Sequence, residues 1–128
     1  MIENKKLLEA ARQAAEQAYA PYSNFKVGAA LLADSGIVYT ASNMENASYS
    51  LSLCAERAAL AKAVSDGERD FLKIAVYSDK QHPVVPCGAC LQSLAEFDAE
   101  LDIISEDADG SITVKKLNKY LPQAFKIK

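Results

Sequence analysis

The sequence predicts an α/β domain in which a single mixed five-stranded sheet is covered by helices. Three observations predict it. Helical and strand-like segments alternate in the order α-β-β-α-β-α-β-β-α. One run, Val27-Gly28-Ala29-Ala30-Leu31-Leu32, has no polar member, as a strand covered on both faces requires. Another segment, rich in alanine, lacks the polar face of a surface helix. With 128 residues, 50% apolar and 24% charged, residues 1–128 read as one globular domain. A chain of this length buries about two thirds of its unfolded surface.

The elements follow in order. From Glu3 to Tyr19, Leu7, Leu8, Ala11, Ala14, Ala15 and Ala18 recur at helical spacing on one face, and Pro21 is the expected stop. Tyr22-Ser23-Asn24 reads as a turn. Lys26 to Ala33 is the first strand, with Gly28 permitting close backbone approach. Asp34-Ser35-Gly36 is a hairpin turn, and Ile37 to Ala41 the returning strand. Ser42 to Leu51 is a polar loop carrying Asn43, Glu45, Asn46 and Tyr49. Leu53 to Val64, with alanines at 55, 58, 59, 61 and 63, is the interior helix, ended by Asp66-Gly67. Phe71 to Tyr77 is a strand, Asp79 to Val85 a loop, and Pro86 opens a helix over roughly Cys87 to Phe97. Leu101 to Ser105 and Ile112 to Val114 are short strands around the Asp109-Gly110 turn. A short helix follows through Tyr120, and the tail runs Ala124-Phe125-Lys126-Ile127-Lys128.

Composition excludes several function classes. A net charge of −3 and a pI near 5.1 provide no basic footprint for a phosphate backbone, so nucleic acid is not the expected partner. The N-terminus carries neither a secretory pattern nor a membrane-spanning run, which points to a cytoplasmic protein with no membrane partner. Thiols stay reduced there, so Cys54, Cys87 and Cys90 read as metal ligands or catalysts before disulfides.

These three thiols occupy two stretches, Leu53-Cys54-Ala55-Glu56-Arg57-Ala58-Ala59 and Pro86-Cys87-Gly88-Ala89-Cys90, each at a helix start. Three thiolates suit Zn²⁺, and three protein ligands rather than four leave a position for water, the pattern of a catalytic site. A closed structural site needs a fourth ligand. There is no fourth cysteine, and the single histidine, His82, lies in a loop where such residues are usually just exposed. Helix N-termini favour the thiolate, because unpaired N–H groups and aligned peptide dipoles stabilise an anion. Three thiolates still leave the centre at −1, and Arg57 is a candidate to offset this by donating to ligand sulfurs. Glu56, two residues from Cys54, is too close for a comfortable further ligand. It is well placed to take a proton from a metal-activated water and return one to a leaving amine.

The pairing of Cys54-Ala55-Glu56 with Pro86-Cys87-x-x-Cys90 resembles the zinc-dependent nucleobase deaminases. The stretches Tyr22-Ser23-Asn24-Phe25-Lys26-Val27-Gly28-Ala29-Ala30-Leu31, Asn43-Met44-Glu45-Asn46-Ala47-Ser48-Tyr49-Ser50 and Cys54-Ala55-Glu56-Arg57-Ala58-Ala59-Leu60 narrow the likeness to the homotetrameric cytidine deaminases. The resemblance spans nearly the whole chain. It implies a three-layer α-β-α fold and one Zn²⁺ per subunit on Cys54, Cys87 and Cys90. It implies hydrolytic deamination of cytidine and deoxycytidine in pyrimidine salvage, by zinc-activated hydroxide attack on C4 with Glu56 as proton shuttle. By the same likeness Asn43 and Glu45 hold the ribose 3′-hydroxyl and Phe25 packs on the base. The Ala55 N–H meets the base O2, the Val85 carbonyl accepts from the amino group, and Phe125 closes over the base from a neighbouring subunit of a homotetramer. A carboxylate at the sugar would also repel a phosphate, so Glu45 favours a nucleoside over a nucleotide.

Two positions depart from the family pattern: Leu91 stands where an arginine is common, and Gln123 where a glycine often precedes Ala124-Phe125. Two alternatives share the zinc ligands. A deaminase of another amino-bearing heterocycle would have no reason to carry Asn43 and Glu45 together. A non-catalytic zinc module would have no use for Glu56 or an open coordination position. A single-stranded nucleic-acid editor is disfavoured by the acidic charge.

Overall fold

The computed structural model describes residues 1–127. Its elements are α1 (Asn4–Ala15), β1 (Val27–Ala33), β2 (Val38–Ser42), a 3₁₀ turn (Tyr49–Leu51), α2 (Ala55–Ser65), β3 (Phe71–Ser78), α3 (Gly88–Ala95), β4 (Asp102–Glu106), β5 (Ile112–Lys116) and α4 (Leu117–Tyr120). The five strands form one sheet in the order β2-β1-β3-β4-β5. β3 and β4 run parallel, joined through α3, and the other neighbours are antiparallel. The sheet is mixed, as the segment order predicts.

Alternation along the strands separates two cores, giving three layers. On one face Ala30, Leu32, Ala75 and Ile104 meet Leu7, Leu8 and Ala11 of α1. On the other Ala29, Leu31, Ile74, Val76 and Ile103 meet Ala59, Leu60 and Ala63 of α2 and Leu91 and Leu94 of α3. β1 is buried at every residue because both layers cover it. α1 lies so close to β1 that a Cβ at Gly28 would sit 1.9 Å from the Ala11 carbonyl oxygen and 2.5 Å from the Ala15 nitrogen. Only glycine fits there.

The structure departs from the sequence reading at three elements. α1 stops at Ala15, not at Tyr19 before the proline. The Tyr19 N–H instead donates to the Asn43 carbonyl (3.0 Å), and the Tyr19 carbonyl accepts from the Glu45 N–H (2.8 Å). Long-range pairing therefore takes the last turn of the expected helix. The 42–51 segment is likewise more than a solvated loop, since Met44 also pairs with Leu53 in both directions, at 2.9 and 2.8 Å. Finally, α2 is not buried all round: Ala61 and Lys62 are exposed, while Ala55, Glu56, Ala59, Leu60 and Ala63 face inward. Alanine misleads here, because it is favourable in a helix on either face.

Candidate active site

The two helices on the second face bring their N-termini together. Cys54 is the residue preceding α2 and Cys87 the residue preceding α3; both have extended backbone, φ −73° and −67°. Their carbonyls already accept the first helical bonds, from Ala58 (3.0 Å) and Leu91 (2.9 Å). Cys90 lies in the first turn of α3 and is fully buried. All three sulfurs fall within 4.8 Å of one another, with Cys87 and Cys90 Sγ at 3.5 Å. A tetrahedral zinc with Zn–S near 2.3 Å separates its sulfurs by about 3.8 Å. The donor set therefore fits this ion in both chemistry and spacing. His82 lies elsewhere, with Nδ1 3.9 Å from Glu106 Oε1 and its ring edge-on to Tyr77.

Charge is distributed unevenly across this cluster. The Cys54 thiol is drawn down to about 5, first by its interaction with Cys90 and further by Arg57, against the opposing effect of burial. Cys90 is pushed up, by the Cys54 interaction first and by burial next. Arg57 extends back over one turn, placing Nη2 3.8 Å from Cys54 Sγ. The Arg57 Nε is buried with no partner among the described residues. Glu56 is 4% exposed, and burial above all pushes its carboxyl up to about 7, with the Cys54 charge adding to the effect. A carboxyl poised there can both accept and release a proton near neutral pH.

Cys54, Cys87 and Glu56 line one cavity of about 290 Å³ together with Phe25, Asn43, Glu45, Ala55 and Val85. Every substrate contact implied by the resemblance is at this cavity except Phe125. Part of the cavity wall is built from two loops fastened together. Asn43 Oδ1 accepts from the Val27 N–H (2.9 Å), and its Nδ2 donates to the Phe25 carbonyl (2.9 Å). Glu45 Oε1 accepts from the N–H groups of Tyr22 (2.9 Å) and Ser23 (3.1 Å), and Oε2 accepts from the Ser23 hydroxyl. These bonds, the Ser23 hydroxyl foremost, hold the Glu45 carboxyl below its ordinary value. Asn43 and Glu45 thus spend part of their capacity on the protein and keep the remainder for a ligand.

Phe125 stands apart. Its side chain is 73% exposed and lies beside α3 and the segment that follows it, away from the cavity of its own chain. Gln92 grips its backbone at both atoms: Oε1 accepts from the Phe125 N–H and Nε2 donates to the Phe125 carbonyl, each at 3.0 Å. Sequence reasoning passed over Ser23 and Gln92. Ser23 was visible only as a turn residue, and nothing local marks Gln92. Leu91 is buried in the core beneath α3 and makes apolar contacts in place of a polar one.

Comparison with known proteins agrees with this geometry. Residues 1–105 match the family described as the cytidine and deoxycytidylate deaminase zinc-binding region. A cytidine deaminase of Sporosarcina psychrophila is 48% identical over 122 residues, covering 94% of this chain and 90% of that protein. One from Halalkalibacterium halodurans is 47% identical over 125 residues, covering 97% and 95%. The crystal structure of cytidine deaminase from Burkholderia pseudomallei superposes with a TM-score of 0.91 at 45% identity, covering 97% of this chain and all of that one. The family match over residues 1–105 and these relatives together show that the chain belongs to the cytidine and deoxycytidylate deaminase zinc-binding family.

Proposed function

We propose that this protein is a cytidine deaminase, converting cytidine or deoxycytidine and water to uridine or deoxyuridine and ammonia. The observation that carries this is the convergence on one cavity of three thiols spaced for zinc, a buried carboxyl held near 7, and the Asn43/Glu45 pair. Zinc, held by Cys54, Cys87 and Cys90, would supply Lewis acidity that lowers the pKa of a water at the open position.

The chain's own groups do the rest. Glu56 accepts the proton of the attacking water as the C4–O bond forms, and protonates ring N3. Its carboxylate then takes the proton of the new C4 hydroxyl and delivers it to the departing amine as the C4–N bond breaks, leaving the product carbonyl. Burial serves this shuttle twice: it raises the carboxyl toward neutral pH and excludes competing water. The Ala55 N–H, at the first position of α2, has no partner within the helix and is available to the base O2. Val85, held extended before Pro86, offers its carbonyl to the amino group that leaves. Phe25 packs on the ring, and Asn43 and Glu45 take the 3′-hydroxyl. A charged Glu45 disfavours a phosphate at the neighbouring position, so nucleosides are preferred to nucleotides. Arg57 supports Cys54 and moderates the excess negative charge of the ligand set.

In this reading residues 1–128 form one domain working in the cytoplasm as a homotetramer, each site completed by Phe125 of a neighbouring subunit. Among the described residues no helix is long and apolar enough to cross a membrane. The test is the ultraviolet absorbance of cytidine with zinc-loaded protein, alongside Glu56→Ala. Conversion to uridine by the wild type and a loss of at least about 10²-fold in kcat for the variant, with zinc retained, is the expected result. An inert wild type holding stoichiometric zinc would redirect the search to another amino-bearing heterocycle.

A further inference from the structure

Phe125 combines two features that do not ordinarily occur together in an irregular segment. Its ring is exposed and outside its own cavity, yet its backbone is fixed at both the N–H and the carbonyl by the amide of Gln92. A neighbouring strand fixes an extended residue through the same two groups, but among the described residues no strand lies here; a side chain does its work. The chain before it is anchored too, since Tyr120, Leu121 and Ala124 pack against the main core. An aromatic on an unfixed irregular segment would have to be ordered each time it met a ligand. Gln92 removes that cost in advance. It sits on α3 two residues after Cys90, so the helix that presents two zinc ligands to one cavity also holds the aromatic that points away from it.

We propose that Gln92 is a positioning residue for substrate binding: its amide presents the Phe125 ring, in a fixed orientation, to the cavity of a neighbouring copy of the chain. This rests on the reading above, in which Phe125 closes over the base in trans. Gln92 touches neither the substrate nor the zinc of its own subunit. It acts through the tail alone, and its effect therefore belongs in substrate affinity and not in the chemical step.

The experiment is a double-mutant cycle on the zinc-loaded, full-length protein with cytidine, using Gln92→Leu, Phe125→Ala and the pair, with zinc content and melting temperature measured for each. Gln92→Leu is expected to raise KM about tenfold, equivalent to ~1.4 kcal/mol, with kcat changed by no more than about twofold and zinc retained. The double variant should be no worse than Phe125→Ala. Gln92→Glu, which keeps the acceptor for the Phe125 N–H but loses the donor to its carbonyl, should fall between wild type and Gln92→Leu. Additive effects in the pair, a loss confined to kcat, or a KM equal to wild type in Gln92→Leu would each overturn the inference while leaving the deaminase reading intact. A wild type inert toward cytidine would overturn the reading and, with it, the role given to Gln92. A Phe125→Ala protein with unchanged KM would remove the aromatic's role in trans, while turnover itself would still stand.

Discussion

The two ends of the cavity are held by different means. At the metal end, Cys54, Cys87, Cys90 and Glu56 belong to the first turns of α2 and α3 or to the residues just before them, and those helices are packed into the core beneath. At the loop end, Phe25, Asn43 and Glu45 lie on irregular chain, and their positions depend on side chains bonding to the backbone of another loop. A helix start fixes its side chains as a by-product of regular structure. A loop pair must be fastened bond by bond. Damage at the metal end should therefore appear in zinc content and chemistry, and damage at the loop end in substrate affinity and local stability.

The largest effect expected from breaking this contrast is at Cys90. Cys90→Ala removes one of three ligands, so zinc stoichiometry should fall toward zero and deamination with it, while the helices around the site remain folded by circular dichroism. Full zinc retention would mean that the ligand set is misassigned. Next in size is Arg57→Gln, which keeps a polar side chain but withdraws the charge near Cys54. A fall of about 10- to 100-fold in zinc affinity is expected from competition against a chelator. An unchanged affinity would reduce Arg57 to a helix residue.

At the loop end, Asn43→Ala strands the Val27 N–H and the Phe25 carbonyl in a half-buried setting. Urea unfolding should register a loss of about 1–3 kcal/mol, and KM should rise while zinc content stays normal. A zinc loss instead would show that the two ends are not separately held. The smallest effect is the acid response of Glu45. Its folded pKa lies below the ordinary 4.5, so its contribution is present above about pH 4.5 and disappears as pH falls through the folded value. As pH falls from about 5 through the folded value, the urea midpoint of the wild type should approach that of Glu45→Gln, which already lacks the charge. Parallel curves would mean that the Ser23 and Tyr22 bonds contribute nothing measurable.

The same contrast explains what could be read without coordinates. The metal end was legible residue by residue, because helix starts announce themselves through spacing and through Pro86, and because three cysteines with one glutamate have few alternative uses. Asn43 and Glu45 were legible only as motif residues. Nothing local indicates that one would bond to Phe25 and Val27 and the other to Tyr22 and Ser23. The truncation of α1 has the same origin: residues 16–19 carry a helical pattern, but Tyr19 is worth more to the structure paired with Asn43 and Glu45 across the chain.

By itself the sequence determined the class of the fold, the segment order that makes its sheet mixed, and the three cysteines and glutamate that the structure brings to one place. These follow from periodicity, turn chemistry and the few side chains able to bind a soft metal. The tertiary structure decided where the helical pattern of α1 ends, which face of α2 meets solvent, how Asn43 and Glu45 are shared between backbone and cavity, and that Phe125 is held by Gln92 outside the site of its own chain. Each of these is a contest between local preference and a hydrogen bond or packing surface supplied from a distant part of the chain. Local pattern records only one side of that contest.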